Sequence, residues 1–243
     1  MPANVLFLPG LLCDETLWSS QIRSLADIVD GISLDLSPYD SIDAMAQGIL
    51  DRAPDQFSLV GFSLGGCVAL EVIARAPSRV TRLALLDTIA SRLLPSVRTH
   101  YESWIPRIES GGLKDYLVDA FPRYVASARV ADTQLRHAFV EMGMRLGPQV
   151  AVRQMHALLA YSGFPGDLST IRCPTIVVCG DEDHRAPPAI HRELASCIPD
   201  AQFHTIAGSG HFTPLEQPFA VIALLRSWLT FGGAPSNCVV HSP

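Results

Sequence analysis

The hydrophobic pattern of the chain alternates between two kinds of segment. Short continuous apolar runs, Val5-Leu6-Phe7-Leu8, Phe57-Ser58-Leu59-Val60, Leu83-Ala84-Leu85-Leu86 and Thr175-Ile176-Val177-Val178, have the length and composition of strands buried on both faces. Ile32-Ser33-Leu34-Asp35-Leu36 alternates with period two and predicts a further strand, and residues 202–206 predict the last. Between these runs apolar residues recur at helical spacing. Leu17, Trp18, Ile22, Leu25 and Ile28 form one such stripe; Ile42, Met45, Ala46, Ile49 and Leu50 form another, with Ser41 placed to cap it and Ala53-Pro54 to stop it. Residues 64–75 predict a helix stopped at Ala76-Pro77, and further helices are expected at about 189–197 and 218–229. The connections between strands are too long for hairpins, so the pattern predicts an α/β fold with a mostly or wholly parallel sheet of about six strands.

The alternation breaks once. From 95 to 163 only helical patterns occur, at 97–108, 113–125, 133–146 and 149–161, which predicts an insertion of about four helices. Such an insertion sits above the carboxyl edge of a parallel sheet, where ligands bind, and is expected to act as a lid. The expected organisation is a core made of residues 1–94 and 164–231, a helical cap of 95–163, and a loose tail of 232–243.

One stretch carries the chemistry. Leu59-Val60-Gly61-Phe62-Ser63-Leu64-Gly65-Gly66 places a serine between two glycines directly after a strand and directly before a helix. A strand that turns into a helix so abruptly strains the backbone at the corner, and Gly61 and Gly65 relieve the crowding because they lack a Cβ. The corner presents the Ser63 hydroxyl at the sheet's carboxyl end, with the Leu64 amide at a helix N-terminus facing incoming negative charge. A phosphate-cradling loop would need Lys before a Ser or Thr after its glycines, and this segment has no Lys.

A serine hydroxyl is a weak nucleophile and needs a base, which needs an orienting acid. Of eight histidines, His211 stands out, because Gly208-Ser209-Gly210-His211-Phe212 follows the last expected strand. The acid should come from an earlier strand end, where Asp181 and Asp183 in Gly180-Asp181-Glu182-Asp183, and Asp87, are candidates. A second oxyanion donor is expected from Leu8-Pro9-Gly10-Leu11, at the Leu11 amide. His184, His191, Asp181 and Asp183 lack the spacing of a His-Glu-x-x-His metal motif, so no metal or other cofactor is expected. Among the aromatic residues, Phe62 and Phe212 flank candidate reacting groups and are candidates to wall a substrate pocket.

Composition narrows the ligand. The 243 residues are 48% hydrophobic and 17% charged, with a net charge of −6, and the 18 Lys and Arg form no basic cluster in sequence. A nucleic-acid or membrane partner is not expected; a small neutral or weakly polar molecule is. Six cysteines without a Cys-x-x-Cys pair, and the absence of a basic leader or a spanning apolar stretch, lead us to expect reduced thiols in a cytoplasmic protein, monomeric or homodimeric.

With Ser63, the 181–183 aspartates and His211 in this order, the chain resembles the α/β-hydrolase family over residues 6–229. Pro187-Pro188 after the acid loop and Leu215-Glu216-Gln217-Pro218 after the histidine are similar to esterases and enol-lactonase-like members. The resemblance implies Ser63 as nucleophile, Asp183 as acid by its Gly-x-x-Asp spacing, His211 as base, and the Leu11 and Leu64 amides as the oxyanion hole. The chain departs in having Pro9-Gly10 where many members have His-Gly, which removes a side chain that braces the loop, and in starting at what is usually the third strand. The implied function is a serine hydrolase acting on a carboxylic ester of a small, mostly apolar substrate through an acyl-enzyme. The same residues serve lactonases, C–C bond hydrolases, acyltransferases, lyases and cofactor-free haloperoxidases, and a ligand receptor with little turnover is the alternative of another class.

Overall fold

The computed structural model describes residues 3–231, so the expected tail at 232–243 lies outside the described residues. In chain order the core elements are β1 (Ala3–Leu8), α1 (Ser19–Leu25), β2 (Val29–Ser33), α2 (Ile42–Arg52), β3 (Phe57–Phe62), α3 (Leu64–Arg75) and β4 (Val80–Leu86). Four helices follow, α4 (Pro95–Glu109), α5 (Leu113–Ala120), α6 (Thr133–Leu146) and α7 (Pro148–Ala160). The chain then returns to the sheet with β5 (Thr175–Gly180), α8 (Pro188–Ser196), β6 (Gln202–Ile206), α9 (Thr213–Glu216) and α10 (Pro218–Phe231).

The six strands form one sheet in the order β2-β1-β3-β4-β5-β6, and every pairing is parallel. β3 and β5 are buried along their whole length, as their unbroken apolar runs require. From β1 the chain goes first to β2 on one side and then to β3 on the other. The order therefore reverses between β1 and β3, and the crevice beyond their carboxyl ends is where such sheets take ligands. Leu8 pairs with Gly61 at that end, which brings the 9–13 loop beside the Ser63 corner.

Two expectations need correction. The edge strand β2 occupies Val29–Ser33 and not 32–36. Its apolar alternation misleads because Ile32 is 53% exposed, whereas Leu34 and Leu36 are buried in the connection that follows the strand. The expected helix at 113–125 stops at Ala120 and gives way to a 3₁₀ turn, Phe121–Arg123. Pro122 has no N–H to continue the helical ladder. The change of direction delivers Tyr124 to Ala126 to the histidine loop, with consequences for the site. α4 packs on α5 and α7, and α6 on α5 and α7.

Candidate active site

Ser63 sits at φ 52° and ψ −115°, a conformation that a residue with a side chain rarely adopts. The neighbouring sequence makes it tolerable. A Cβ on Gly61 would lie 2.5 Å from the Gly65 carbonyl oxygen, one on Gly65 would run into the Leu8 carbonyl, and one on Gly66 would strike Thr88. The corner is tied on both sides: Ser63 N–H donates to the Leu86 carbonyl at 2.9 Å, and the Thr88 hydroxyl donates to the Ser63 carbonyl at 2.7 Å.

The structure brings Ser63, His211 and Asp183 into one line. His211 Nε2 is 3.0 Å from Ser63 Oγ, and Nδ1 is 2.8 Å from Asp183 Oδ2. Asp183 is buried, and its other oxygen accepts the amides of Arg185 at 2.8 Å and Ala186 at 2.9 Å. Burial alone would raise its pKa, but the His211 imidazole and the Ala186 amide outweigh it and hold the carboxyl below the usual carboxylate range.

Neither of the other two acid candidates is bonded to the imidazole. Asp181 is exposed, and its carboxylate accepts the Ser209 amide at 3.3 Å, tying down the turn after β5. Asp87, at φ 48°, accepts the Gly180 amide at 3.1 Å and a hydrogen bond from the Thr213 hydroxyl. Burial first, and the negative Asp183 second, push the Asp87 carboxyl well above its ordinary value. Its bonds to Gly180 and Thr213 make its role there structural.

The histidine loop is held by a residue that sequence reasoning placed only within a motif. The buried Glu216 carboxylate accepts the amides of Gly210 at 2.9 Å and Phe212 at 3.1 Å, on either side of His211, together with the Ser209 hydroxyl at 3.3 Å. Its second oxygen accepts the Ala126 amide at 2.7 Å, and the His211 amide donates to the Tyr124 carbonyl at 2.7 Å. The segment after Pro122 is thus bonded directly to the loop. Gly210 permits this approach, since a Cβ there would lie 2.5 Å from the Val125 carbonyl carbon.

Gln154 was also missed. Leu12 adopts φ 55°, and its amide donates to Gln154 Oε1 at 2.8 Å, across 142 positions of sequence. This bond from α7 braces the loop in which Pro9 stands. Gly10 lets the loop reach the corner, because a Cβ there would come within 2.7 Å of the Phe62 ring. The Leu64 amide is at the first position of α3, where no helical acceptor exists, and Leu11 lies in the adjoining loop.

Phe62 and Phe212 do not wall the cavity at Ser63. Both are buried, their rings 5.1 Å apart, and Phe62 packs at 5.5 Å from the His211 ring, so they support the imidazole from behind. The cavity, of about 30 Å³, is lined by Ser63 and His211, by Asp87 and Thr88, and by Val97, Tyr101 and Leu158 from α4 and α7. Cys67 also lines it, but burial pushes its thiol up to about 11, leaving it protonated and inert. His191, fully buried, accepts the Thr88 amide at 2.9 Å; burial pushes its pKa down to about 4, so it is a neutral acceptor. Among the described residues no group of three or more His, Cys, Asp or Glu could hold a metal ion, and no helix is long and apolar enough to cross a membrane.

Residues 5–224 match the sequence profile of the alpha/beta hydrolase family. A 2-hydroxy-6-oxo-2,4-heptadienoate hydrolase of Pseudomonas putida is 29% identical over 192 residues, covering 75% of this chain and 67% of that protein. Among solved structures, a thermophilic esterase from Thermogutta terrifontis superposes with a TM-score of 0.83 at 23% identity, covering 96% of this chain and 92% of its own. The enol-lactonase from Burkholderia xenovorans LB400 gives a TM-score of 0.83 at 20% identity, with coverages of 95% and 92%. A parallel sheet with a serine corner, matched in sequence over nearly its whole length, places this chain in the alpha/beta hydrolase family.

Proposed function

We propose that this protein is a serine hydrolase that cleaves a carboxylic ester of a small, mostly apolar substrate through an acyl-enzyme. The observation that carries this reading is the continuous line from Asp183 Oδ2 to His211 Nδ1 at 2.8 Å and from His211 Nε2 to Ser63 Oγ at 3.0 Å. In the first half-reaction His211 takes the Ser63 proton as Oγ attacks the ester carbonyl, and Asp183 stabilises the imidazolium. The amides of Leu11 and Leu64 hold the oxyanion. The imidazolium then protonates the leaving alcohol, and water, activated by the same base, releases the acid. Helices α4 to α7 act as the cap, since Val97, Tyr101 and Leu158 wall the cavity over Ser63.

Cleavage of a C–C bond is the second reading, favoured by the likeness to the Pseudomonas putida hydrolase. Labelling with a fluorophosphonate probe, combined with turnover of a series of short esters, tests the first. Wild-type protein is expected to be labelled, and Ser63→Ala to lose labelling and at least about three orders of magnitude in kcat while remaining folded. Wild-type turnover in Ser63→Ala would reject the nucleophile.

A further inference from the structure

Arg185 takes no part in the steps above, yet its side chain lies in the wall of the Ser63 cavity. It is half-buried and always charged, and a cation in that position ordinarily faces a carboxylate. No ion pair joins Arg185 to an acid among the described residues. The nearest acid in sequence, Asp183, is occupied by His211 and by two backbone amides. What the guanidinium has instead is aromatic. Its Nη2 donates to the Tyr101 hydroxyl at 2.7 Å, and its carbon lies 4.2 Å from the centre of the Tyr124 ring and 5.3 Å from that of Tyr101. Burial raises the pKa of both tyrosines, so neither supplies a countercharge. The Tyr124 ring also packs 5.5 Å from His211, so one aromatic residue touches both the unpaired cation and the base.

The space beyond repeats the pattern. Val97 and Arg185 are shared with a second cavity of about 590 Å³, whose wall includes Thr99, His100, Ser103, Arg123 and His184 and contains no Asp or Glu. Arg123 is partly neutralised by Asp119 at 3.2 Å, whereas Arg185 has no acidic side chain in an ion pair with it among the described residues. The pKa of His100 is pushed down to about 4, by burial and then by Arg185 and Arg123, and its Nε2 is buried without a partner. In a chain of net charge −6, a cavity walled by cations, imidazoles and hydroxyls is suited to an anion.

We infer that Arg185 forms an anion subsite beside Ser63 and that the substrate is an ester carrying a carboxylate, gripped by the guanidinium while its apolar chain lies along Val97 and Leu158. The fit is chemical. A planar guanidinium with free N–H groups meets a carboxylate through paired hydrogen bonds, and the aromatic shelf beneath it keeps the cation in place without neutralising it. The inference rests on the ester-hydrolase reading and adds the substrate class. It also explains how a mostly apolar cavity distinguishes one small ester from another.

The test compares kcat/KM for matched ester pairs. On the acyl side, monoethyl succinate, glutarate and adipate are set against ethyl butanoate, pentanoate and hexanoate. On the alcohol side, the butanoyl ester of 3-hydroxypropanoate is set against propyl butanoate. Wild-type protein should favour the charged member of at least one pair by about tenfold or more, and the arm that responds identifies which half of the ester bears the carboxylate. The charged-to-neutral ratio should fall by at least about tenfold in Arg185→Gln and less in Arg185→Lys, whatever the absolute rates, in variants whose thermal unfolding matches wild type. A wild-type preference for the neutral esters, or a ratio preserved in Arg185→Gln, overturns the subsite. If no ester is turned over and Ser63 is not labelled by a fluorophosphonate, the hydrolase reading fails separately. Glutarate binding by titration calorimetry then decides: binding weakened at least about tenfold in Arg185→Gln upholds the subsite, and no binding or equal binding removes it.

Discussion

Glu216 offers a test of how the histidine loop is held. Its carboxylate accepts the amides of Ala126, Gly210 and Phe212 and the hydroxyl of Ser209, and it is buried. In Glu216→Ala those donors lose their acceptor. A buried unsatisfied group costs about 1–3 kcal/mol, and water entering the vacated space recovers part of that, so the expected loss is about 3–5 kcal/mol. For a chain of this size that lowers Tm by about 6–20 °C. Glu216→Gln is the sharper variant. Its amide oxygen can still accept from Ser209, Gly210 and Phe212, but its NH₂ then faces the Ala126 N–H, and one charge-assisted bond of about 2 kcal/mol is lost. That bond joins the histidine loop to the segment after Pro122. His211 lies between two of the bonded amides, so a shift of about 1 Å there should reduce kcat by about 10² while KM changes little. Thermal unfolding by circular dichroism and kcat on one ester, measured on both variants, provide the check. A Glu216→Gln protein with unchanged Tm and kcat would show that the carboxylate does not position the base.

Two further predictions concern the aspartates. Asp183→Asn keeps the shape but removes the charge that orients and stabilises the imidazole, and kcat should fall by up to about four orders of magnitude, with Asp181→Asn and Asp87→Asn within about tenfold of wild type; Asp183→Asn within tenfold would refute the assignment. Asp87→Asn also tests protonation. Because the folded-state pKa of Asp87 is raised, the folded protein holds a proton that the unfolded chain has released, so stability linked to Asp87 is full below about pH 4 and declines as pH rises towards the folded value. Asn cannot lose that proton. The Tm of wild type relative to Asp87→Asn should therefore fall between about pH 4 and pH 7, and a difference independent of pH would show that Asp87 is not protonated.

What could be read from the sequence follows from the range of the interactions. The parallel sheet was legible because each central strand carries a short, mostly apolar run, and the Ser63 corner because the glycines that relieve it are within three residues of it. Asp183 was singled out by its likeness to the family's Gly-x-x-Asp spacing, because the strand pattern alone left Asp181 and Asp87 open, and the structure sets its carboxylate against the His211 ring. Gln154 was not legible: nothing near it in sequence signals that it will accept the Leu12 amide from 142 positions away. Arg185 was passed over for a related reason, since a charged residue in a polar loop reads as surface until Tyr101 and Tyr124 are placed against it. The edge strand was misplaced because period two marks which face is buried, not where hydrogen bonding to β1 begins. Phe62 and Phe212 read as pocket residues from their position beside Ser63 and His211, but both rings are buried and pack on each other, and Phe62 packs on the His211 ring.

Buried acids at one edge of a sheet present a problem, because three ionised carboxylates near one another would compete for a single imidazolium. The donors around each decide the outcome. Asp183 has two backbone amides and the imidazole, enough to keep it ionised against burial. Glu216 has three amides and a hydroxyl but lies on the backbone side of the histidine loop, where its bonds are with N–H groups and not with the ring. Asp87 has one amide and one hydroxyl in full burial, too few to offset burial and the charge of Asp183, and its carboxyl is pushed well above its ordinary value. The direction of that shift matters for His211. An ionised Asp87 would raise the pKa of Asp183 by like-charge repulsion and weaken the grip on His211, whereas a neutral one lets Asp183 remain the anion that faces the ring. The same reasoning makes asparagine a close copy of the protonated form of Asp87 and a damaging substitute for Asp183, although the two side chains are chemically identical and belong to neighbouring strand ends.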